Sequence, residues 1–548
     1  MITSAPFELT LPPDLELAVA SRVESVTADR VGPRIWERDA TVWGAADQPE
    51  VANRLGWLDS PTGMAPAVAE LEALRDECVA EGLTDVVLLG MGGSSLAPEV
   101  LRRSWGTVPG ALRLHVLDST DPDAVLAVER ATEPASTLHL VSTKSGGTIE
   151  TLSLFRHFHA RTAAAVGAGV AGRHFVAITD PGSSLADLAA QHDFRFTFLN
   201  DPDIGGRYSA LSYFGLVPGA LAGVPVGELL ARARTAAVEC RREQDNPGVW
   251  LGAVWGELAA HGRDKLTWVV SERVSGFGLW VEQLIAESTG KEGKGILPVV
   301  EEPLGAPEAY GPDRVFAYVR DSAGSAALDA GVAALAAAGH PVLTLGVDSL
   351  EDLGGLFFLT EFATAVAGRV LGINPFDQPN VQEAKDATAG VLGGYSQAGA
   401  LPEVPAAEEG ALRALTGRLG PPAYAAVMAY GPPSDAVDGA VAGLRVALRD
   451  GTHSATTFGY GPRFLHSTGQ LHKGGPPTGV FLQLVSEVRE DVDVPEAGYT
   501  FATLRNAQAI GDLEILRRHG LPAEQVRLSG DLATGIARLT DQIKGMLR

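Results

Sequence analysis

Cysteine is almost absent from this chain: two in 548 residues, Cys78 and Cys240, far apart in sequence. That excludes a disulfide framework and any cysteine-based metal spacing, and it suits a reducing compartment. Long apolar runs are missing too. None reaches the roughly eighteen residues of a membrane span, and the stretch from Met1 to Pro6 has no basic segment leading into an apolar one. The expectation is a cytoplasmic protein with no membrane partner. Positive charge is also scarce, with 43 Lys and Arg against 67 Asp and Glu and a net charge of −24. Nucleic acid and anionic lipid would be repelled, and an anionic small molecule would need a locally positive pocket. No short-period repeat and no His/Cys/carboxylate cluster at metal-binding spacing occurs, so no metal site is expected.

What is present begins at Thr84: a short buried-strand signal to Leu89, the Gly/Ser turn Gly90-Met91-Gly92-Gly93-Ser94-Ser95, and a helical pattern with Pro98 in its first turn. Such a turn reads as an anion cradle. Glycines without β-carbons let backbone N–H groups approach a ligand, and the next helix N-terminus adds partial positive charge. About fifty residues later the design recurs, with strand Thr137–Val141, loop Ser142–Thr148 and a helix opening at Ile149-Glu150-Thr151. One such turn alone would be a tight strand-to-helix connection. Two can converge on one phosphate beyond the carboxyl ends of a parallel sheet. Neither nucleotide motif is satisfied: Ser95 stands where the dinucleotide fingerprint wants its last Gly, and no Gly-Lys-Ser/Thr follows.

At this length and 45% hydrophobic content, three or four domains are expected. Residues 1–75 read as a helical and extended segment, with an amphipathic helix over Leu15–Val26 and Trp36, Trp43 and Trp57 as packing anchors over the first domain. Strand patterns near 84–89, 112–117, 137–142, 174–179 and 195–199 alternate with helical ones, which specifies a doubly wound parallel sheet over 76–235. A second α/β unit over 236–400 has strands at 266–271, 314–320 and 341–347; a Pro/Gly/Ala-rich linker is expected over 389–408. A C-terminal α/β unit over 401–548 follows, with strands from Ala423 and near 480–485 and helices near 503–518 and 531–547.

The paired loops resemble the sugar isomerase (SIS) domain, and specifically the glucose-6-phosphate isomerase family, over roughly residues 84–390. The C-terminal third resembles the isomerase half of fused transaldolase–isomerase chains. The resemblance implies two SIS domains plus a C-terminal α/β domain, and an aldose–ketose isomerase that interconverts glucose 6-phosphate and fructose 6-phosphate through a cis-enediol. It implies a hexose phosphate as partner, no cofactor, and leaves a homodimer open.

Thr143-Lys144-Ser145-Gly146-Gly147-Thr148-Ile149-Glu150-Thr151 resembles the family's phosphate segment Ser-Lys-Thr-x-Thr-Thr-x-Glu-Thr. Carried over, the hydroxyls of Thr143, Ser145 and Thr148, the Lys144 backbone and Ser94 hold the phosphate, with Gly92, Gly93 and Gly206 lining the substrate. Gly205-Gly206-Arg207-Tyr208-Ser209 matches the segment whose Arg stabilises the enediolate. Glu287-Ser288-Thr289-Gly290-Lys291 resembles the segment bearing the catalytic base, with Thr289 in place of Asn, which makes Glu287 the base. The apolar helix before it suits a carboxyl whose pKa is raised by burial. Asp377-Gln378-Pro379-Asn380-Val381-Gln382-Glu383-Ala384-Lys385 aligns with the family's Asp-Gln-x-Gly-Val-Glu-x-Gly-Lys, departing at Asn380, Gln382 and Ala384; Lys385 inherits a role at the sugar oxygens and in ring opening.

The family's ring-opening His, supplied there by the partner subunit, is expected between the base and the Lys. In that interval the only His is His340, in the wrong setting. Downstream, Arg463-Phe464-Leu465-His466-Ser467-Thr468-Gly469-Gln470-Leu471-His472-Lys473-Gly474-Gly475 resembles the lost segment, so His466, or His472, is expected to take over from the appended domain. Two further readings stay open: an isomerase that also accepts mannose 6-phosphate, because Thr289 and the relocated His alter the surroundings of C2, and a non-catalytic sugar-phosphate sensor.

Overall fold

The computed structural model describes residues 2–4, as backbone alone, and 7–547; Met1, Ala5 and Pro6, part of the N-terminal stretch read above, lie outside the described residues. Three sheets organise the chain. The first is parallel, in the order Arg113–Leu117, Asp85–Gly90, Thr137–Ser142, Phe175–Thr179, Phe196–Leu199. Its central strands are buried on both faces, which is why they read as mostly apolar runs rather than alternating ones.

The second sheet runs Ile2–Ser4, Phe7–Thr10, Val342–Val347, Arg314–Asp321, Lys265–Val270, Leu297–Val299. Its last four strands are parallel, and the N-terminal hairpin adds antiparallel at the edge through Phe7–Thr10. The N-terminal strands are therefore stitched to the second sheet rather than to the first. The tryptophans follow: Trp36 stacks on Phe358 and Phe362, and Trp43 Nε1 donates to the Ala365 carbonyl at 2.7 Å. They anchor to the helix Asp352–Leu371 of the second unit, and only Trp57, stacked on Tyr208 at 5.2 Å, reaches back to the first. That helix corrects another expectation. Its 20 residues and mean hydropathy of 1.3 would suit a membrane span, yet 83% of its apolar window is buried, packed between Pro247–Ala260 and Val226–Glu239.

The third sheet, Ala455–Tyr460, Tyr424–Tyr430, Gly479–Ser486, Ala523–Leu528, is parallel throughout. Counted along the parallel strands of each unit, all three sheets begin 2-1-3-4, the first adding a fifth strand at its edge, so each has a topological switch point between its first and third strands. Two of the third sheet's strands, Ala455–Tyr460 and Ala523–Leu528, are edges with polar and small residues, which is why no apolar run announces them. The expected linker over 389–408 is half helix: Pro379–Ala398 continues to Gly399, which terminates it in the left-handed conformation (φ 70°). Its Val391 and Leu392 pack on Leu504, Ala507 and Ile510 of the helix Phe501–Arg518, and that contact holds the segment helical.

Candidate active site

The two Gly/Ser turns flank the first sheet's switch point and meet there. Ser142 Oγ donates to the Ser94 carbonyl at 3.5 Å, and a Cβ at Gly90 would lie 3.0 Å from the Ser142 carbonyl. Thr143 and Thr148 hydroxyls share a hydrogen bond of 2.8 Å, and Ser145 Oγ accepts from the Gly147 N–H at 3.4 Å. Lys144 turns its ammonium outward to Asp180 and the Pro202 carbonyl. The glycines also serve the packing of the loops. A Cβ on Gly93 would lie 2.0 Å from the Gly206 carbonyl oxygen, and one on Gly92 (φ 55°) would lie 2.8 Å from the His466 carbonyl. Both glycines let protein loops close on each other at this point; nothing stands within 4 Å of a Cβ on Gly206.

Arg207, 2% exposed, follows that contact in a 3-10 turn, Gly206–Tyr208. Its guanidinium is spread over five acceptors: Ser288 Oγ (2.8 Å), Glu287 Oε2 (3.4 Å), Gln378 Oε1 (3.0 Å) and the carbonyls of Pro375 (2.7 Å) and Asp377 (3.1 Å). Glu287 sits in the last turn of the apolar helix Phe277–Thr289 and is 4% exposed. Burial pushes its carboxyl above the ordinary glutamate range, against the pull of Arg207, Gln283, His466 and Lys291. Lys291 Nζ clamps Asp377 at 2.6 Å, through both its carbonyl and its carboxylate.

The departures from the family pattern have local reasons. Thr289 Oγ1 donates to the Ile285 carbonyl (2.8 Å) and accepts from the Ile296 N–H (2.9 Å), closing the turn after the helix. Its hydroxyl is thereby committed to the backbone, which removes the Thr289 argument for altered surroundings at C2. Asn380 pairs with Gln470 of the appended unit, its N–H donating to Oε1 and its Oδ1 accepting from Nε2, both at 2.9 Å.

The appended unit enters through the 3-10 turn Arg463–His466. Arg463 forks onto the Asp118 carboxylate with two bonds of 2.8 Å, and Asp118 also accepts from Ser95 Oγ at 3.2 Å. His466 Nε2 meets Glu150 Oε1 at 2.9 Å, and its carbonyl accepts from Gln283 Nε2 (2.8 Å), which also donates to Glu287 Oε1 (3.3 Å). Burial opposes ionisation of Glu150, but His466 and its hydrogen bond outweigh it, and the carboxyl is held below the ordinary range with further help from Lys385.

A cavity of about 150 Å³ opens here, lined by Gly147, Thr148, Glu150, Lys385, His466 and Gln508 among others. Lys385 is exposed on its helix. Ser94, Thr143, Ser145, Arg207 and Glu287 do not line this cavity; Glu287 adjoins it through the Gln283–His466 bridge. His472 is not brought in. It is 5% exposed on the separate helix Gly469–Gly474, facing the Phe481 ring at 5.1 Å; burial lowers its pKa to about 3, and neither ring nitrogen has a protein partner. His340 is remote, bonded to the Pro307 carbonyl. Among the described residues no three His, Cys, Asp or Glu gather as a metal site.

Glu150, Gln283, Arg463 and Gln508 received no role from sequence. Glu150 could have been found, as the acidic residue in the first turn of a helix behind a phosphate loop; Gln508 lies in Asn506-Ala507-Gln508-Ala509, which carries no signal.

Residues 76–293 match the family model described as phosphoglucose isomerase. A glucose-6-phosphate isomerase of Rubrobacter xylanophilus is 32% identical over 386 residues, 62% of this chain and 89% of that one. Among solved structures, a hypothetical protein of Thermus thermophilus is 27% identical with a TM-score of 0.59, covering 70% of this chain and all of that one. A glucose-6-phosphate isomerase of Chlamydia trachomatis, 22% identical with a TM-score of 0.52 over 67% and 78% of the two chains, shares the fold. The chain belongs to the glucose-6-phosphate isomerase family, enzymes that interconvert glucose 6-phosphate and fructose 6-phosphate.

Proposed function

We propose that the interconversion runs through a cis-enediol with Glu287 as the base and that one chain supplies every group it needs. Ser94, Thr143, Ser145, Thr148 and the Lys144 backbone hold the phosphate, helped by the N-terminus of the helix Ile149–Val166. In ring opening the O1 proton of the cyclic sugar passes to His466 as C1=O1 forms. The C1–O5 bond breaks with its electron pair going to O5, and O5 takes a proton from Lys385. Glu287 then removes the C2 proton as C1=C2 forms and the C1=O1 electron pair moves onto O1, a charge that Arg207 balances; the O2 hydroxyl proton passes to O1 by way of the enediol, and Glu287 returns its proton to C1 as C2=O2 forms.

The observation that supports this reading most is the Arg207–Glu287 pair buried beside the His466–Glu150 pair, bridged by a single amide, Gln283. No step calls for a metal, so activity is expected to survive exhaustive dialysis against a strong chelator; loss restored only by a divalent metal would contradict the scheme. The deciding experiment is Glu287→Gln. Affinity for fructose 6-phosphate should stay within about tenfold while turnover falls by several orders of magnitude. Near-normal turnover would remove Glu287 as base.

A further inference from the structure

The carboxylate of Glu150 has a second partner that the scheme above does not use. Gln508, 1% exposed on the helix Phe501–Arg518 of the appended unit, donates from Nε2 to Glu150 Oε1 at 2.7 Å. Its Oε1 accepts from the Thr120 hydroxyl at 2.7 Å. The amide can face only one way. Turned over, it would set two oxygen acceptors against each other at Glu150, whereas the hydroxyl of Thr120 serves either orientation. Glu150 Oε1 is also the atom that meets His466 Nε2, so one carboxylate oxygen receives two N–H donors from the appended unit.

We propose that Gln508 is a positioning residue for ring opening: by occupying one lone pair of Glu150 Oε1 it fixes the direction of the other, and with it the tilt and tautomer of the His466 ring. A ring held through Nε2–H has Nδ1 left over for the sugar proton. The logic is that of a carboxylate orienting a catalytic imidazole, with a neutral amide orienting the carboxylate in turn. Thr120 belongs to the first unit and Gln508 to the third, so their bond also ties the alignment of His466 to the docking of the two units. This inference rests on His466 as the ring-opening group.

The charged and titratable groups around the cluster are Lys385 from the helix Pro379–Ala398, Glu287 from the helix Phe277–Thr289, the Tyr430 hydroxyl at the end of the strand Tyr424–Tyr430, the Arg505–Asp121 pair beside Gln508 and Thr120, and Asp512 with Lys473 one turn further along the Gln508 helix. All stay in place in the test, which compares Gln508→Met, Gln508→Glu and Thr120→Val in the full chain. Turnover is measured on cyclic glucose 6-phosphate from about pH 6 to about pH 9, beside the affinity for 5-phosphoarabinonohydroxamate, an open-chain enediolate mimic that needs no ring opening.

Gln508→Met is expected to lower kcat about tenfold to a hundredfold, a part of the roughly 10²- to 10⁴-fold that a general acid–base supplies, while binding the hydroxamate within about threefold of the native protein. Gln508→Glu should recover turnover at the acid end, where one shared proton restores a donor between the two carboxyls, and lose it as pH rises and both ionise. Thr120→Val should give the same loss as Gln508→Met, only milder; if Gln508→Met does not fold, Thr120→Val decides. Native kcat in these variants, or a kcat loss matched by an equal loss of hydroxamate binding, overturns the proposal. His466→Ala separates the two levels: full turnover there sinks the ring-opening assignment itself, whereas a dead His466→Ala beside unaffected Gln508 variants sinks only the role of Gln508.

Discussion

As the base of the proposed scheme Glu287 must be ionised to accept a proton, and burial holds its carboxyl above the usual value near 4.5. The acid limb of kcat/KM should therefore lie at higher pH than an exposed glutamate would give. Arg207 is the largest influence pulling the other way, so Arg207→Gln should move that limb further up as well as lower turnover; a limb that stays put would mean another group sets it. Five residues earlier on the same helix, Glu282 is buried with one carboxylate oxygen unpartnered, and burial carries its pKa to about 8 from 4.5. The folded chain holds a proton that the unfolded chain has released between those values, so this group weakens the fold progressively as pH climbs through that window. Glu282→Gln should flatten the fall in melting temperature between about pH 5 and about pH 9. Parallel curves for variant and native protein would rule that out.

Among elements, the loop contacts make a sharp contrast between two glycines. Gly93→Ala would drive a methyl into the Gly206 carbonyl, 2.0 Å away, and should cost about 1–3 kcal/mol as the Arg207 turn is displaced. Gly147, in the phosphate loop, has nothing within 4 Å of an added Cβ, so Gly147→Ala should leave stability within about 0.5 kcal/mol and any effect should fall on KM. Chemical denaturation of both variants, with their KM values, checks the pair. Elements are also where the sequence was most and least legible. Central strands such as Val86–Leu89 announce themselves because both faces are buried. The strand Ala455–Tyr460 and the outer half of the helix Pro379–Ala398 do not, because their state is set by neighbours far along the chain. In the site, Arg207, Glu287 and Lys385 stood in recognisable local strings, whereas Gln508 acquires its place only when residues 388 positions apart meet.

At the scale of the molecule, the appended unit is set into the other two by buried polar contacts. Arg445 donates to the carbonyls of Val300 and Glu301 at 2.8 and 2.9 Å, and Glu302 accepts from Arg314 and the Thr456 hydroxyl. Toward the first unit, Arg463 holds Asp118 and Arg505 holds Asp121. Arg505 also bonds Ser486 at the third sheet's own switch point, so a carboxylate of the first unit occupies the place where an open sheet of this order receives a ligand. Removing residues 401–548 would strand Asp118 and Asp121 without their cationic partners and take the Thr456 hydroxyl from Glu302, so the truncated chain should unfold or aggregate rather than persist as an isomerase lacking only ring opening. Circular dichroism of that fragment would decide it.

The bond between His466 and Glu150 lies within one chain, and this has a consequence for mixtures. Where an active site borrows a histidine from a neighbouring subunit, two inactive variants damaged in different residues can restore each other when co-assembled, since one hybrid site inherits both intact groups. On the proposed scheme each polypeptide carries its own complete set, so co-expressed Glu287→Gln and His466→Ala chains should show no more activity than the two measured apart.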